Sequence, residues 1–259
     1  MKSHRPSARK SNRSKSDRYF IVSPDAEKDG IIVLRGAEFH HSVRVSRVRP
    51  GDVVKLLDGR GVTYEARVAH VGAREVSFEV LSRERAHEGA SVDIALAVIK
   101  APRFDLAVEK CTELGIRRLI PFIAERGLWR GAADESGLKI DRIRRKIASS
   151  CKQSGQPFFP EIAAPASLDE LIERLASYAA VFLAERPSGA TTTEVLEASD
   201  GPVLGIVGPE GGLTSDERER LVAKGAIPLS LGPFRLRSET AAICLSYRLL
   251  SGFSRPSRK

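Results

Sequence analysis

The chain has 259 residues, 42% of them apolar and 29% charged, the balance of a soluble globular protein of one or two domains. No apolar run approaches the roughly 18 residues of a membrane span, and residues 1–18 lack the apolar stretch of a signal peptide, so a cytoplasmic protein with no membrane attachment is expected. Three cysteines, Cys111, Cys151 and Cys244, share no short spacing, which argues against a disulfide framework or a zinc site and for buried, reduced thiols.

The formal net charge of +9 is confined to the two ends. Residues 1–18 hold seven Lys/Arg and one Asp, residues 254–259 hold three Arg/Lys and no acid, and the body between them is neutral. Both ends are predicted to be disordered basic tails that attract polyanions without reading them. A solubilising role and a transit peptide are the competing readings of the first tail.

From Tyr19 to about Leu81 the chain reads as short strands: "YFIV", "IIVL", "DVVKLLD", "VTYEARVAHV" and "EVSFEVL", separated by Gly/Asp turns. That spacing predicts a small barrel, interrupted by one helix over "GAEFHHSVRVSR". The polar stretch "SRERAHEGAS" marks a domain boundary, giving one domain over 19–84 and a second over 90–253. In the second domain strands alternate with helices. Strands are predicted at "VDIALAVIK", "IRRLIPFIAE", "AAVFLAE", "GPVLGIVG" and "AIPLSLG". Helices are predicted at "RFDLAVEKCTELG", closed by Gly115, at "LKIDRIRRKIASSCKQSG", at "LDELIERLASY", at "TSDERERLVAKG" with a Thr214/Glu217 capping box, and at "SETAAICLSYRLLSGF". This alternation means an α/β fold with a mainly parallel sheet.

Two glycine-bearing loops follow strands of this domain. "GIVGPEGGLTSDE" lacks the Lys-Ser/Thr of a P-loop and the spacing of a dinucleotide fingerprint. Glu210 sits among its amides and would repel a phosphate, so a cationic or zwitterionic ligand fits better; a plain tight turn is the alternative. "LGPFRLRSETAA" again leaves a strand, bends at Gly232-Pro233 and enters a helix at Ser238. Paired loops at the carboxyl ends of neighbouring strands are where open α/β sheets place their sites, with Arg237 at the mouth.

With both loops in view, the chain resembles the SPOUT methyltransferases, and within them the bacterial 16S ribosomal RNA uridine N3-methyltransferases. The resemblance runs from Tyr19 to the last helix, through "FHHSVRVSRVRPGD", "VIKAPRFDLAVEKCTELGI", "ERG", "KQSGQPFFPEI", "GPEGG" and "LRSETA" in order. It implies a PUA-like RNA-binding barrel followed by an α/β domain with a deep carboxy-terminal trefoil knot. It also implies a homodimer with its site near the subunit interface, and S-adenosylmethionine held by three loops, Leu183–Glu185, Val207–Gly212 and Leu231–Ala241. The cofactor residues so implied are Leu183, Glu185, Val207, Gly208, Pro209, Glu210, Gly211, Gly212, Leu231, Gly232, Leu236, Arg237, Thr240 and Ala241. The chain departs from the family pattern at Phe234, where arginine is usual, at Arg235, where an aliphatic residue is common, at Gln156 and at Ser46. A non-catalytic RNA-binding relative and a SPOUT enzyme acting on transfer RNA are the alternatives to a methyltransferase of the small ribosomal subunit.

Uracil N3 is protonated at neutral pH, so methylation there needs the proton removed and the resulting charge stabilised. No metal is required, because the sulfonium is already a good leaving group. Arg237 is expected to stabilise the uracil anion, with a salt bridge to Glu239 or Glu210 as its competing role; Glu210, or a water held by Glu239, is the candidate base. For RNA contact, His40, His41, Arg44, Arg47 and Arg49 cluster without acids, and Arg142, Arg145 and Lys146 share a helix side opposite Ile140, Ile143 and Ile147. Lys100 and Arg103 open the second domain, and Lys110, Arg126 and Gln153 lie in the matched segments. Trp129, Phe158 and Phe159 are candidates to stack on a splayed base, with core packing as the alternative.

Overall fold

The computed structural model describes residues 18–89, 91–127, 139–185 and 201–253. Residues 1–17 and 254–259, hence most of both basic tails, and Trp129 lie outside them. The chain divides into two compact units, one holding the residues up to Asp58 together with Val62–Arg85, the other Gly59–Gly61 together with the chain from Ala86 onward.

The first unit is a six-stranded sheet built from β1 (Tyr19–Ile21), β2 (Glu27–Lys28), β3 (Ile31–Arg35), β4 (Val53–Leu57), β5 (Val62–Val71) and β6 (Glu75–Arg85) in the order β1-β4-β5-β6-β3-β2. Its pairs are antiparallel except β1 with β4. Alternation explains β5: Val62, Tyr64, Ala66 and Val68 point inward, while Glu65 and Arg67 face water. Phe20, Ile32, Leu56 and Phe78 fill the core behind them. Arg18, expected in a disordered tail, is instead held by Asp52 at 2.9 Å and by the Ser46 carbonyl at 3.0 Å.

The helix predicted through residue 47 ends earlier. An α-turn, α1 (Gly36–His40), passes into a π-helical turn over His41–Val45, and Arg47 has φ +49°. A non-glycine left-handed residue ends any helix, so Arg47 and Arg49 do not continue the helical face of Arg44. Within this turn the buried Ser42 hydroxyl donates to the Phe39 carbonyl at 2.8 Å.

The second unit is α/β. Six strands, β7 (Val92–Ala97), β8 (Arg118–Phe122), β9 (Glu161–Ile162), β10 (Ala180–Glu185), β11 (Val203–Val207) and β12 (Ala226–Ser230), form an all-parallel sheet in the order β12-β10-β11-β7-β8-β9. β7 and β11 are buried throughout, as strands covered on both faces of a parallel sheet should be, and apart from Asp93 they carry no polar side chain. The helices are α2 (Ala101–Leu114), α3 (Ile140–Ser154), α4 (Leu168–Arg174), α5 (Ser215–Ala223) and α6 (Ser238–Phe253). Gly115 closes α2 at φ +93°, and Thr214 and Glu217 form the capping box of α5.

α6 lies against β11 and β7. Gly205 permits this, since a Cβ there would fall 2.6 Å from Leu245 and 2.9 Å from Ile94. Two cysteines are sealed in this core, and burial pushes the thiols of Cys111 and Cys151 up to about 12. Phe158 and Phe159 close over Gly61 and Gly59: an added Cβ on Gly61 would sit 2.4 Å from the Phe158 ring. Asp93, fully buried at the start of β7, accepts two bonds from Arg117, at 2.8 and 2.6 Å, and one from the Tyr178 hydroxyl at 2.7 Å. No helix among the described residues is long and apolar enough to cross a membrane.

Candidate active site

Because every strand of the second unit runs the same way, the segments leaving β10, β11 and β12 meet at one edge of the sheet. They enclose a cavity of about 510 Å3. Of the residues expected at a cofactor, Leu183, Glu185, the run Val207–Gly212, Leu231, Leu236, Arg237 and Ala241 form its wall. Gly232 and Thr240 do not. Gly232, at φ +147°, shapes the loop instead, and Thr240 lies in the first turn of α6. The wall also contains Ala184, Phe234, Arg235 and Ser238, which fall within the loops expected at the cofactor, and Leu213 and Arg218, which lie outside them. The signal for Arg218 was its place one turn beyond the Thr214 cap.

Close packing sets the loop geometry. The Gly212 amide donates to the Pro209 carbonyl at 2.8 Å with Gly212 at φ +74°. A Cβ on Gly211 would sit 3.1 Å from the Arg126 Cβ, so the glycine lets the segment after β8 pass. That segment is anchored by Glu217. One carboxylate oxygen of Glu217 accepts from the Glu125 amide at 2.7 Å, and the other from the Thr214 amide at 2.8 Å.

The electrostatics correct two expectations. Glu210 is not a free carboxylate, since Arg103 from α2 donates to its Oε1 at 3.0 Å. Repulsion of an anion by Glu210 is therefore largely cancelled. The salt bridge considered for Arg237 is also made by Arg103, whose Nε lies 3.9 Å from Glu239 Oε1. Arg237 is exposed and makes no ion pair with a described residue. Its carbonyl accepts from the Ala241 amide at 2.8 Å, so it occupies the cap of α6, where the helix dipole favours negative charge. Glu239, in the first turn of α6, is 5% exposed, and its Oε2 is buried with no hydrogen-bond partner among the described residues. Glu185 is paired with Arg218 at 2.5 and 3.1 Å, and Arg235 donates to the Glu210 carbonyl.

The residues expected to contact RNA are dispersed between the two units. In the first, His40, Arg44 and Arg47 are exposed, whereas the half-buried His41 packs edge-on against Phe20 at 5.9 Å. In the second, Arg103 and Arg126 line the cavity, and Lys100 and Gln153 are exposed. The α3 stripe is largely cross-linked to α2: Arg142 pairs with Asp105 at 2.5 Å and Lys146 with Glu109 at 3.1 Å, leaving Arg145 exposed. Lys110 pairs with Glu113 and Glu109 at 2.8 and 3.0 Å, and both partners hold its ammonium pKa above the usual lysine range.

The cavity volume falls in the range of small-molecule sites. Two glycine-rich backbone segments offer amides and carbonyls, and both wall carboxylates are matched by arginines. A nucleoside with a zwitterionic amino-acid arm fits this donor set, with the backbone loops for its base and ribose and the arginine-matched rim for its arm. Among the described residues no group of three His, Cys, Asp or Glu gathers to hold a metal ion.

Residues 87–249 match the profile of an RNA methyltransferase domain, and residues 34–81 that of an RNA methyltransferase PUA domain. The chain is 31% identical over 230 residues to the ribosomal RNA small subunit methyltransferase E of Mycobacterium bovis, across 86% of this chain and 87% of that one. It is 29% identical over 225 residues to the protein of the same name from Synechocystis, across 85% and 73% of the two chains. A solved structure of a proposed methyltransferase from Legionella pneumophila, in complex with the bound cofactor SAM, is 25% identical and superposes with a TM-score of 0.80 over 90% of this chain and 96% of that one. With one profile spanning most of the chain and a relative matched along most of both lengths, the chain belongs to the ribosomal RNA small subunit methyltransferase E family of RNA methyltransferases.

Proposed function

We propose that the protein is an S-adenosylmethionine-dependent methyltransferase that methylates N3 of a uridine in the 16S ribosomal RNA of the small subunit. The observation that carries this is the presence, at the start of α6, of a cavity-lining guanidinium with no ion-pair partner among the described residues, Arg237, and, two positions on, a buried carboxylate oxygen with no hydrogen-bond partner among them, Glu239 Oε2. S-adenosylmethionine, when bound, supplies a methyl group on a sulfonium. The chain supplies the rest. Arg237 stabilises the negative charge that spreads over O2, N3 and O4 as the N3 proton leaves. Glu239, directly or through a water, takes that proton. Glu210 holds position through Arg103 and leaves the base role to Glu239. With the methyl group supplied on a good leaving group, what is left to this chain's residues is to hold the uracil with N3 in line for transfer.

The PUA-like unit and the basic tails bring in the RNA, and the enzyme works in the cytoplasm as a homodimer. The exposure of Leu106 on α2 and Tyr247 on α6, two helices packed together, supports the dimer. A trefoil knot is supported by the path of the chain after β12. That strand is at the sheet edge, yet α6 returns to cover β11 and β7.

The test uses tritiated S-adenosylmethionine, small subunits from a strain lacking this gene, and reverse transcription across the labelled RNA. A methyl on N3 blocks Watson–Crick pairing, so label should coincide with a stop at one uridine. Arg237→Ala should lower turnover at saturating S-adenosylmethionine about 100-fold or more, the scale of a lost oxyanion donor. Full turnover in that variant would remove Arg237 from the mechanism.

A further inference from the structure

Phe234 is the most exposed large apolar side chain among the described residues, at 80%, and it lies on the wall of the cavity. A free phenylalanine normally folds back onto the protein. Here the loop is braced on both sides of it. Arg248 donates to the Ser230 carbonyl at 2.9 Å, and the Ser230 hydroxyl donates to the Gly232 carbonyl at 3.1 Å. Gly232 turns at φ +147° and Pro233 restricts the next step. On the far side, Arg235 is fastened to the Glu210 carbonyl. The ring is thus presented to solvent by a fixed loop. Arg126 and Arg237 line the same cavity, both exposed and neither in an ion pair with a described residue. An exposed aromatic face beside unneutralised guanidinium groups suits a ligand that is flat and anionic, which a single-stranded nucleotide is.

We infer that Phe234 is a stacking platform for a base of the substrate RNA at the mouth of the cavity, with Arg126 and Arg237 supplying positive charge beside it. This rests on the methyltransferase function proposed for the same site. It adds a residue that selects an unpaired strand over a duplex, because only a base out of its helix offers a face to the ring.

The test compares wild type with Phe234→Ala, Phe234→Leu and Phe234→Tyr. The readouts are KM and kcat for methyl transfer to unmodified small subunits, S-adenosylmethionine affinity by calorimetry, oligomeric state by sedimentation, and filter binding to 16S RNA. The Ala and Leu variants should raise KM for the subunit at least about fivefold, the lower end of one base–aromatic stack. The Tyr variant should stay close to wild type, and cofactor affinity and oligomeric state should not move. A wild-type KM in Phe234→Leu would overturn the inference, since apolar bulk would then suffice. So would a loss of cofactor affinity in Phe234→Ala, which would give the ring to the cofactor's adenine, or a loss of self-association, which would give it to a second copy. The two readings fail separately: a wild type that transfers no methyl refutes the methyltransferase function, whereas equal RNA affinity of wild type and Phe234→Leu refutes the stacking platform alone.

Discussion

Arg103 holds three segments of the site together, and its removal should cost more than an ordinary surface ion pair. It bonds Glu210 at 3.0 Å and lies 3.9 Å from Glu239, whose carboxylate is 5% exposed with one oxygen unpartnered. Arg103→Met keeps the aliphatic stem and deletes only the charge. Breaking a fully buried ion pair costs about 3–5 kcal/mol, because the remaining charge is stranded. The Arg103 side chain is 36% exposed and its approach to Glu239 is long, so water recovers part of that, and about 1–3 kcal/mol is the expected loss. For a domain of this size that lowers Tm by about 2–12 °C. The assay is thermal unfolding of Arg103→Met, Glu239→Gln and the double variant. Glu239→Gln in the Arg103→Met background should restore most of the lost Tm, because a neutral amide needs no cation. The reasoning fails if Arg103→Met melts within about 1 °C of wild type, or if the double variant melts no higher than the single.

Gly205→Ala should destabilise by about 1–3 kcal/mol through overpacking, because its Cβ would overlap Leu245 and Ile94 where α6 crosses β11; a melt at the wild-type temperature would show that α6 can shift without cost. Thiol labelling reports the core directly. With Cys111 and Cys151 pushed up to about 12 by burial, the reactive thiolate is scarce at pH 8 and grows only as pH rises toward that value. The folded protein should therefore label quickly at Cys244 alone, and at all three sites in denaturant; fast labelling of two or more in the native state would contradict the packing of α2 and α3.

The alternation of strand and helix in the second unit was legible because it is written in local periodicity. β7 is apolar from Ile94 to Ala97, and Ile143, Ile147 and Cys151 repeat at the spacing of one helix face. The Thr214/Glu217 box and Gly115 marked helix ends for the same reason, since capping is decided within a few residues. What a face meets is not local. Arg142 and Lys146 read as a stripe facing RNA phosphates, yet each meets an acid 37 positions earlier on α2. Arg103 and Glu210 are 107 positions apart and become partners only because the sheet order sets β7 beside β11. A charge judged within its own loop was therefore misjudged: Glu210 looked like a free anion that would turn phosphate away. Once the pairings are known, the carboxylates of the site separate by their partners. Glu185 is held by Arg218 and Glu210 by Arg103. Glu239 alone of these keeps a buried oxygen without a hydrogen bond, so its acceptor lone pairs are not already taken by a neighbouring donor. That is the physical reason for assigning it, rather than the glycine-loop glutamate, as the proposed acceptor of the N3 proton.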